Sequence, residues 1–190
     1  LVIAHSGDGN ATLSNPEKVT FKDNKLTDTF YYYNVIDVEE DSNYDMTLKR
    51  AVAKFRLVVE DHTPSDVKVM KFYYTGGSST FNAITGYGCV NSKQTELRDV
   101  TESAYNEGSY YDIYTFPHNS EENKKLKVEI SAMSSTSSST ILFSKTISDV
   151  AISKNKYICY KGHFFNVVPE SDQEFTLSTT DVWQYEEFKY

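Results

Sequence analysis

The sequence predicts an all-β protein, an antiparallel β-sandwich with only minor helix, and three observations carry that prediction. First, Leu48 to Val59 alternates: Ala51, Ala53, Phe55, Leu57 and Val59 fall on one parity, while Arg50, Lys54, Arg56 and Glu60 fall on the other. Successive strand side chains point to opposite faces, so this pattern makes one buried face and one charged, solvated face. Second, 15 Tyr and 11 Phe among 190 residues suit a pleated, half-buried surface. Third, no stretch longer than about ten residues keeps a helical period with caps. Many short strands separated by polar turns then indicate a sandwich.

Taken in order, Leu1 to Ala4 reads as a strand that ends in the turn-rich run His5 to Asn10. Asn15-Pro16-Glu17 starts a short helix or turn, Val19 to Phe21 is weakly extended, and Phe30 to Ile36 is rich in strand formers. An acidic loop, Asp37 to Asp45, leads into the Leu48–Val59 strand, which stops before Pro64, a residue with no N–H for a ladder. In Val67 to Tyr74 the apolar parity slips from Val67 and Val69 to Met70, Phe72 and Tyr74, the mark of a β-bulge near Val69–Met70. Thr75 to Ser79 is a turn, Thr80 to Ile84 a short strand, and Asn91 to Gly108 a long polar loop with some edge structure. Tyr110 to Phe116 is a strand, and Leu126, Val128, Ile130 and Ala132 alternate with polar residues in a second half-buried one. The latter forms a hairpin with Ile141-Leu142-Phe143 across a Ser/Thr run; Val150 to Ile152, Tyr157 to Phe165 and Phe175 to Thr179 add the remaining strands. The expected partners of Leu48–Val59 are Val67–Tyr74, Leu126–Ala132 and Tyr157–Phe165.

The chain, residues 1–190, is read as a single sandwich domain with 1–45 its least defined portion, readable as the end of a preceding domain. Leu1–Ala4 already looks like strand, so the natural chain is expected to start earlier. A net charge of −8 argues against a nucleic-acid partner, which requires a concentrated basic surface. No apolar run reaches the length of a helical membrane span. Cys89 and Cys159 suit either one bridge, if their strands are neighbours, or two small buried hydrophobes.

Catalytic signatures are missing from the sequence. His5, His62, His118 and His163 stand in turns or at a strand end with no metal-ligand spacing between them. Asp37, Glu39, Glu40, Asp41 and Asp45 lack the central Gly and closing Glu of a calcium loop. Gly76-Gly77-Ser78-Ser79 is followed by no Gly-Lys-Ser/Thr, Gly86-Tyr87-Gly88 opens no helix, and no nucleophile elbow occurs. No enzyme activity, metal or cofactor is expected. Aromatic density leaves one binding chemistry open, because exposed Tyr and Trp make flat platforms with a polar tip that suit sugar stacking. Tyr31 to Tyr33, Tyr73, Tyr74, Tyr87, Tyr110, Tyr111 and Trp183 could supply such a surface, with Tyr32, Tyr73, Tyr87 and Trp183 the candidate platform, against the reading in which such residues only pack the sandwich.

At Met46 to Phe55, Phe72 to Ala83, Thr85 to Gly88, Ile147 to Val150, Asn155-Lys156 and Tyr160 to Phe165 the sequence resembles the fimbrillin-A-associated anchor and accessory subunits of Bacteroidetes fimbriae. The resemblance implies a transthyretin-like, Greek-key sandwich, and a secreted or outer-membrane lipoprotein held by an N-terminal lipid. Neither Cys89 nor Cys159 lies near the start, so neither matches the lipid-bearing Cys of that family. It also implies a role in fimbrial anchoring, pilus assembly or adhesion, with other fimbrial subunits, and host or surface glycans or proteins, as partners. Such subunits join by β-augmentation, a neighbour's strand completing an open sheet. Cleavage after an Arg frees the acceptor groove in related subunits. Arg50-Ala51 looks like such a bond, yet it heads a core strand, and the favoured reading is a structural Arg on the solvated face.

Overall fold

A computed structural model of the chain describes residues 1–6, 10–37, 43–119, 125–137 and 140–166, together with the strand backbone of 176–180. In chain order the strands are β1 (Val2–His5), β2 (Ala11–Thr12), β3 (Thr20–Phe21), β4 (Thr29–Tyr32), β5 (Lys49–Arg50), β6 (Ala53–Val59), β7 (Val69–Thr75) and β8 (Phe81–Asn82). They continue as β9 (Tyr87–Gly88), β10 (Lys93–Asp99), β11 (Ser109–Thr115), β12 (Lys125–Met133), β13 (Ile141–Ala151), β14 (Tyr157–Gly162) and β15 (Thr176–Thr180). The helices among these residues are two short 3-10 turns, Lys22–Asn24 and Glu102–Tyr105.

Two four-stranded sheets make the sandwich: sheet I in the order β10-β7-β12-β13 and sheet II in the order β11-β6-β14-β15. The alternation read from the sequence builds the space between them. Phe55, Leu57 and Val59 of β6 face Met70, Phe72 and Tyr74 of β7 and Leu126, Val128, Ile130 and Ala132 of β12 in one continuous core. Full burial of side chains of this size stabilises by about 1.5–3 kcal/mol each, which makes this seam the main source of stability.

The pairing differs from expectation in instructive ways. Of the three expected partners of β6, only β14 pairs with it; β7 and β12 lie in the opposite sheet and meet it face to face. The β6–β14 ladder is parallel, whereas the other pairings between strands are antiparallel. A parallel pair needs a long crossover, and the chain between these strands fills it with all four strands of sheet I. Strand β7 contains no bulge: its register with β10 and β12 is unbroken from Val69 to Thr75. The apparent parity slip has two sources: Val67 lies ahead of the strand, in a turn closed by its N–H on the Pro64 carbonyl, and Val69, the first strand residue, is buried on the parity opposite to Met70. The bulges sit instead in the β12–β13 pair, and β13 runs unbroken to Ala151 where two strands were expected. Within the stretch read as a long loop with some edge structure, Lys93–Asp99 forms a full seven-residue edge strand.

Residues Leu48–Val59 do not make one strand. Lys49–Arg50 pairs with β4 in a separate three-stranded sheet, β1-β4-β5, and only Ala53–Val59 enters the sandwich. Between the two, Ala51 and Val52 are fully buried in a second core with Val19, Phe21, Leu26, Phe81, Ala83 and Phe116. This core fastens the N-terminal portion to the sandwich, through the mutual backbone hydrogen bonds of Val19 with Phe81 and of Ser78 with Phe116.

Candidate functional site

The outer face of sheet II is where polar chemistry gathers. Alternation along β6 puts Lys54, Arg56 and Val58 on this face, and the ladders set Asp112 and Tyr110 of β11 beside them on one side and Tyr157 of β14 on the other. Asp112 accepts two parallel hydrogen bonds from Arg56, at 2.7 and 2.8 Å, and stands 3.8 Å from the Lys54 ammonium. The fork geometry of guanidinium on carboxylate is the strong form of this pair. Arg56 then lies over the Tyr110 ring at 4.5 Å, and Lys54 over the Tyr157 ring at 5.0 Å. The hydrogen bonds from Arg56 to Asp112 hold its guanidinium pKa above the ordinary value, while burial lowers that of Lys54 despite the nearby Asp112 carboxylate.

This face is therefore not the open charged surface that the alternation suggests. Arg50 and Lys54 are only 8% and 7% exposed. Arg50 belongs to β5, where its Nε and Nη2 donate to the Asp28 carboxylate at 2.7 and 3.0 Å, its Nη1 donates to Asn155, and its guanidinium covers the Phe30 ring. The Arg50–Ala51 bond consequently lies inside the second core, with Ala51 fully buried and its N–H on the Thr29 carbonyl. Arg50 is structural, but on a buried face.

Beside this face, the edge strands β10 and β11 border the same flank of the sandwich. A hollow of about 520 Å³ opens between them, lined among others by Arg98, Asp99, Thr101, Ser103, Ser109 and Tyr110. A second, of about 360 Å³, opens on the other side of Tyr110 and is lined by Arg56, Val58, Glu60, Ser109 and Lys161. Tyr110 is the ridge between them and is 64% exposed.

The edges differ in how they are protected. Lys54 and Glu60 donate their N–H groups to β14, so the even-numbered residues of β6 point that way and the odd ones toward β11. The backbone groups of Tyr110, Asp112 and Tyr114 then point outward. Two of their carbonyls are taken: Arg98 donates to that of Asp112 at 3.2 Å and Tyr74 to that of Tyr114 at 3.1 Å. On β10, Lys93, Glu96, Arg98 and Asp99 supply charge, and Arg98 also caps the Leu97 carbonyl. On β13 the two register breaks and the left-handed Asp149, at φ 59°, interrupt the ladder. Charges, bulges and capped carbonyls are the devices by which sheets resist edge-to-edge pairing. The fourth edge, β15, has the sequence Thr-Leu-Ser-Thr-Thr, with neither charge nor proline.

The residues singled out from sequence for a glycan platform are not brought together. Tyr32 lies on β4 of the small sheet, with its hydroxyl accepting from Asn34, and Tyr73 is on the outer face of sheet I between Thr95 and Glu129. Tyr87 is on β9, one ring face occupied by the Lys154 ammonium at 3.7 Å. Trp183 lies outside the described residues. Cys89, exposed, and Cys159, buried in β14, are both free, so the bridge is not formed; partial desolvation of its sulfur raises the Cys89 thiol pKa. Gly76–Ser79 is a structural joint, the fully buried Ser78 accepting at its hydroxyl from the N–H groups of Thr80 and Val90. Among the described residues no group of His, Cys, Asp and Glu is placed to hold a metal ion. Of the acidic loop, Glu39, Glu40 and Asp41 lie outside the described residues. Tyr110, the ridge itself, belongs to an ordinary-looking aromatic run, and nothing local in the sequence separates it from its neighbours.

Residues 10–188 match the model of a family described as a family of unknown function (DUF6562). The chain belongs to that family. Among curated proteins, none matches this DUF6562 chain. Among solved structures it is similar to the crystal structure of a "putative cell adhesion protein" from Bacteroides ovatus, at 15% sequence identity and a TM-score of 0.45, over 75% of this chain and 49% of that one. The chain thus spans about half the length of that neighbour.

Proposed function

We propose that this DUF6562 chain is a non-enzymatic cell-surface subunit of the fimbrial accessory, anchor or adhesion type, exported to the outer membrane or beyond and assembling with other subunits through a strand edge. The observation that carries this reading is the asymmetry of its edges. Strands β10, β11 and β13 carry charges, bulges or capped carbonyls, whereas the sequence of β15 carries no such device. An unguarded edge is a template for strand addition, with affinity supplied by main-chain hydrogen bonds. The sequence resemblance to fimbrial accessory subunits points the same way.

The ladder pattern tells which substitution tests it. The even-numbered groups of β14 bond β6, so its odd ones bond Thr176, Ser178 and Thr180, leaving the N–H groups of Leu177 and Thr179 pointing away from β14. Thr179→Pro removes one edge donor without removing a donor to β14. The purified chain is expected to capture fimbrial subunits of its own source, and Thr179→Pro to capture them at least tenfold more weakly. Failure of the unaltered chain to retain any fimbrial subunit refutes the reading.

A further inference from the structure

We propose that the Tyr110 ridge and the hollows flanking it form a binding site for a neutral oligosaccharide. The site is built, not merely exposed. Arg56 stacks under one face of Tyr110 at 4.5 Å and is itself pinned by two hydrogen bonds to Asp112. The ring is thereby held in one orientation, which lowers the entropy lost when a ligand settles on it. Residues Gly108, Ser109 and Tyr110 line both hollows, so the two, of about 360 and 520 Å³, adjoin at the ridge. Both volumes fall within the range of about 300–1,000 Å³ in which small-molecule sites lie.

The lining chemistry selects the ligand. A pyranose presents an apolar C–H face to an aromatic ring and a rim of hydroxyls to polar neighbours, and an amphipathic Tyr suits such a ligand. Here the rim would meet Glu60 and Lys161 on one side and Asp99, Thr101 and Ser103 on the other, a mixture of donors and acceptors. The apolar contribution is confined to Val58, Val59 and the aromatic rings, too little for a greasy ligand. Nor is there surplus positive charge for an acidic sugar. Arg56 is paired with Asp112, Lys161 with Glu60 at 2.9 Å, and Arg98 with Glu96 at 2.8 Å, in a chain of net charge −8. A linear oligosaccharide crossing the ridge would use both hollows. Strands β11 and β15 are opposite edges of sheet II, so this site and the strand-edge reading stand or fall separately.

The test is an array of neutral, sialylated and sulfated oligosaccharides probed with the full 190-residue chain, followed by calorimetric titration with the best neutral hit. Four variants go with it: Tyr110→Ala, Tyr110→Phe and, as controls away from the ridge, Tyr73→Ala on sheet I and Thr179→Pro on β15. Binding to neutral glycans is expected, weakened at least tenfold by Tyr110→Ala, within about threefold of native for Tyr110→Phe, and unchanged for Tyr73→Ala and Thr179→Pro. Because Tyr110 is exposed, its truncation should leave the melting curve within the range of surface substitutions, about ±0.5 kcal/mol. Absence of any neutral-glycan signal, a signal confined to acidic glycans, capture of peptides instead, or full binding by Tyr110→Ala each overturns the proposal.

Discussion

Replacing Asp61 by Ala should be among the most damaging single changes in this protein, although no sequence pattern marks it. Asp61 follows β6, is 5% exposed, and accepts three backbone N–H groups: from Phe164 at 2.9 Å and from Phe165 and Asn166 at 2.7 Å. The parallel pairing of β6 and β14 brings both strands out at the same end of the sheet, and this carboxylate ties the two exits together. The segment it holds seats Phe164 and Phe165 in the core, where Phe165 meets Phe143 edge to face. Hydrogen bonds to a charged acceptor contribute about 1.5–3 kcal/mol each, offset by the cost of desolvating the carboxylate. Truncation would leave three donors at a largely buried site without their acceptor, so the expected loss is about 3–5 kcal/mol, the range for breaking a buried charged network. In a domain of this size each kcal/mol lowers Tm by about 2–4 °C, which gives a drop of roughly 6–20 °C. Asp61→Asn keeps the shape but turns an N–H₂ toward at least one donor, and should cost about 2–3 kcal/mol. Urea titrations and thermal melts followed by circular dichroism measure both. A loss below about 0.5 kcal/mol for Asp61→Ala would show that the three hydrogen bonds do not organise this end of the sheet.

Three further outcomes are expected. Burial holds the pKa of Tyr74 above the normal phenol and pushes that of Tyr114 up to about 12. The unfolded chain therefore releases these protons first, and stability should fall as pH rises from about 10 toward 12; urea midpoints at pH 8, 10 and 11 should show this, with a shallower decline in Tyr74→Phe. An arginine-specific protease should leave Arg50–Ala51 intact in the native chain and cut it once denatured, since Ala51 is fully buried; mass mapping of a timed digest decides this. Gly86 has φ +78°, and an added Cβ would collide with the Tyr31 hydroxyl. Gly86→Ala should therefore cost about 2–3 kcal/mol, of which about 1 is backbone strain, and a double-mutant cycle should show a smaller cost in Tyr31→Phe, where the hydroxyl is gone.

The fold class was legible because alternation is a local property. Leu126 to Ala132 reads half-buried from its own residues, and β12 is half-buried in the structure. What was not legible depends on neighbours far along the chain. Lys54 and Arg56 look alike as polar residues of one strand face, and their partner Asp112 is more than fifty residues away, on a strand whose pairing no local pattern reveals. The parallel β6–β14 ladder is hidden for the same reason. Tyr110 shows the limit on the functional side. An exposed platform and a buried packing residue share the same letter, and only the arrangement of Arg56 and the two hollows around it separates Tyr110 from Tyr111, which is 6% exposed.

The break within Leu48–Val59 explains how one short stretch serves two ends. A strand continuous from Leu48 would have placed Arg50 on the outer face of sheet II beside Lys54. Instead the chain steps between sheets at Ala51–Val52, and Arg50 closes a buried pair with Asp28 in the small sheet. Lys54, next on that parity, then takes its place near Asp112, which also holds Arg56 and through it the Tyr110 ring. Asp28 with Arg50, and Asp112 with Lys54 and Arg56, thus form two ion clusters, one in the N-terminal sheet and one at the ridge. In the second cluster one carboxylate serves two cations: Arg56 takes the paired hydrogen bonds of Asp112, while Lys54 stands 3.8 Å from it and lies over the Tyr157 ring. The place where a single strand is interrupted therefore decides which carboxylate each cation meets.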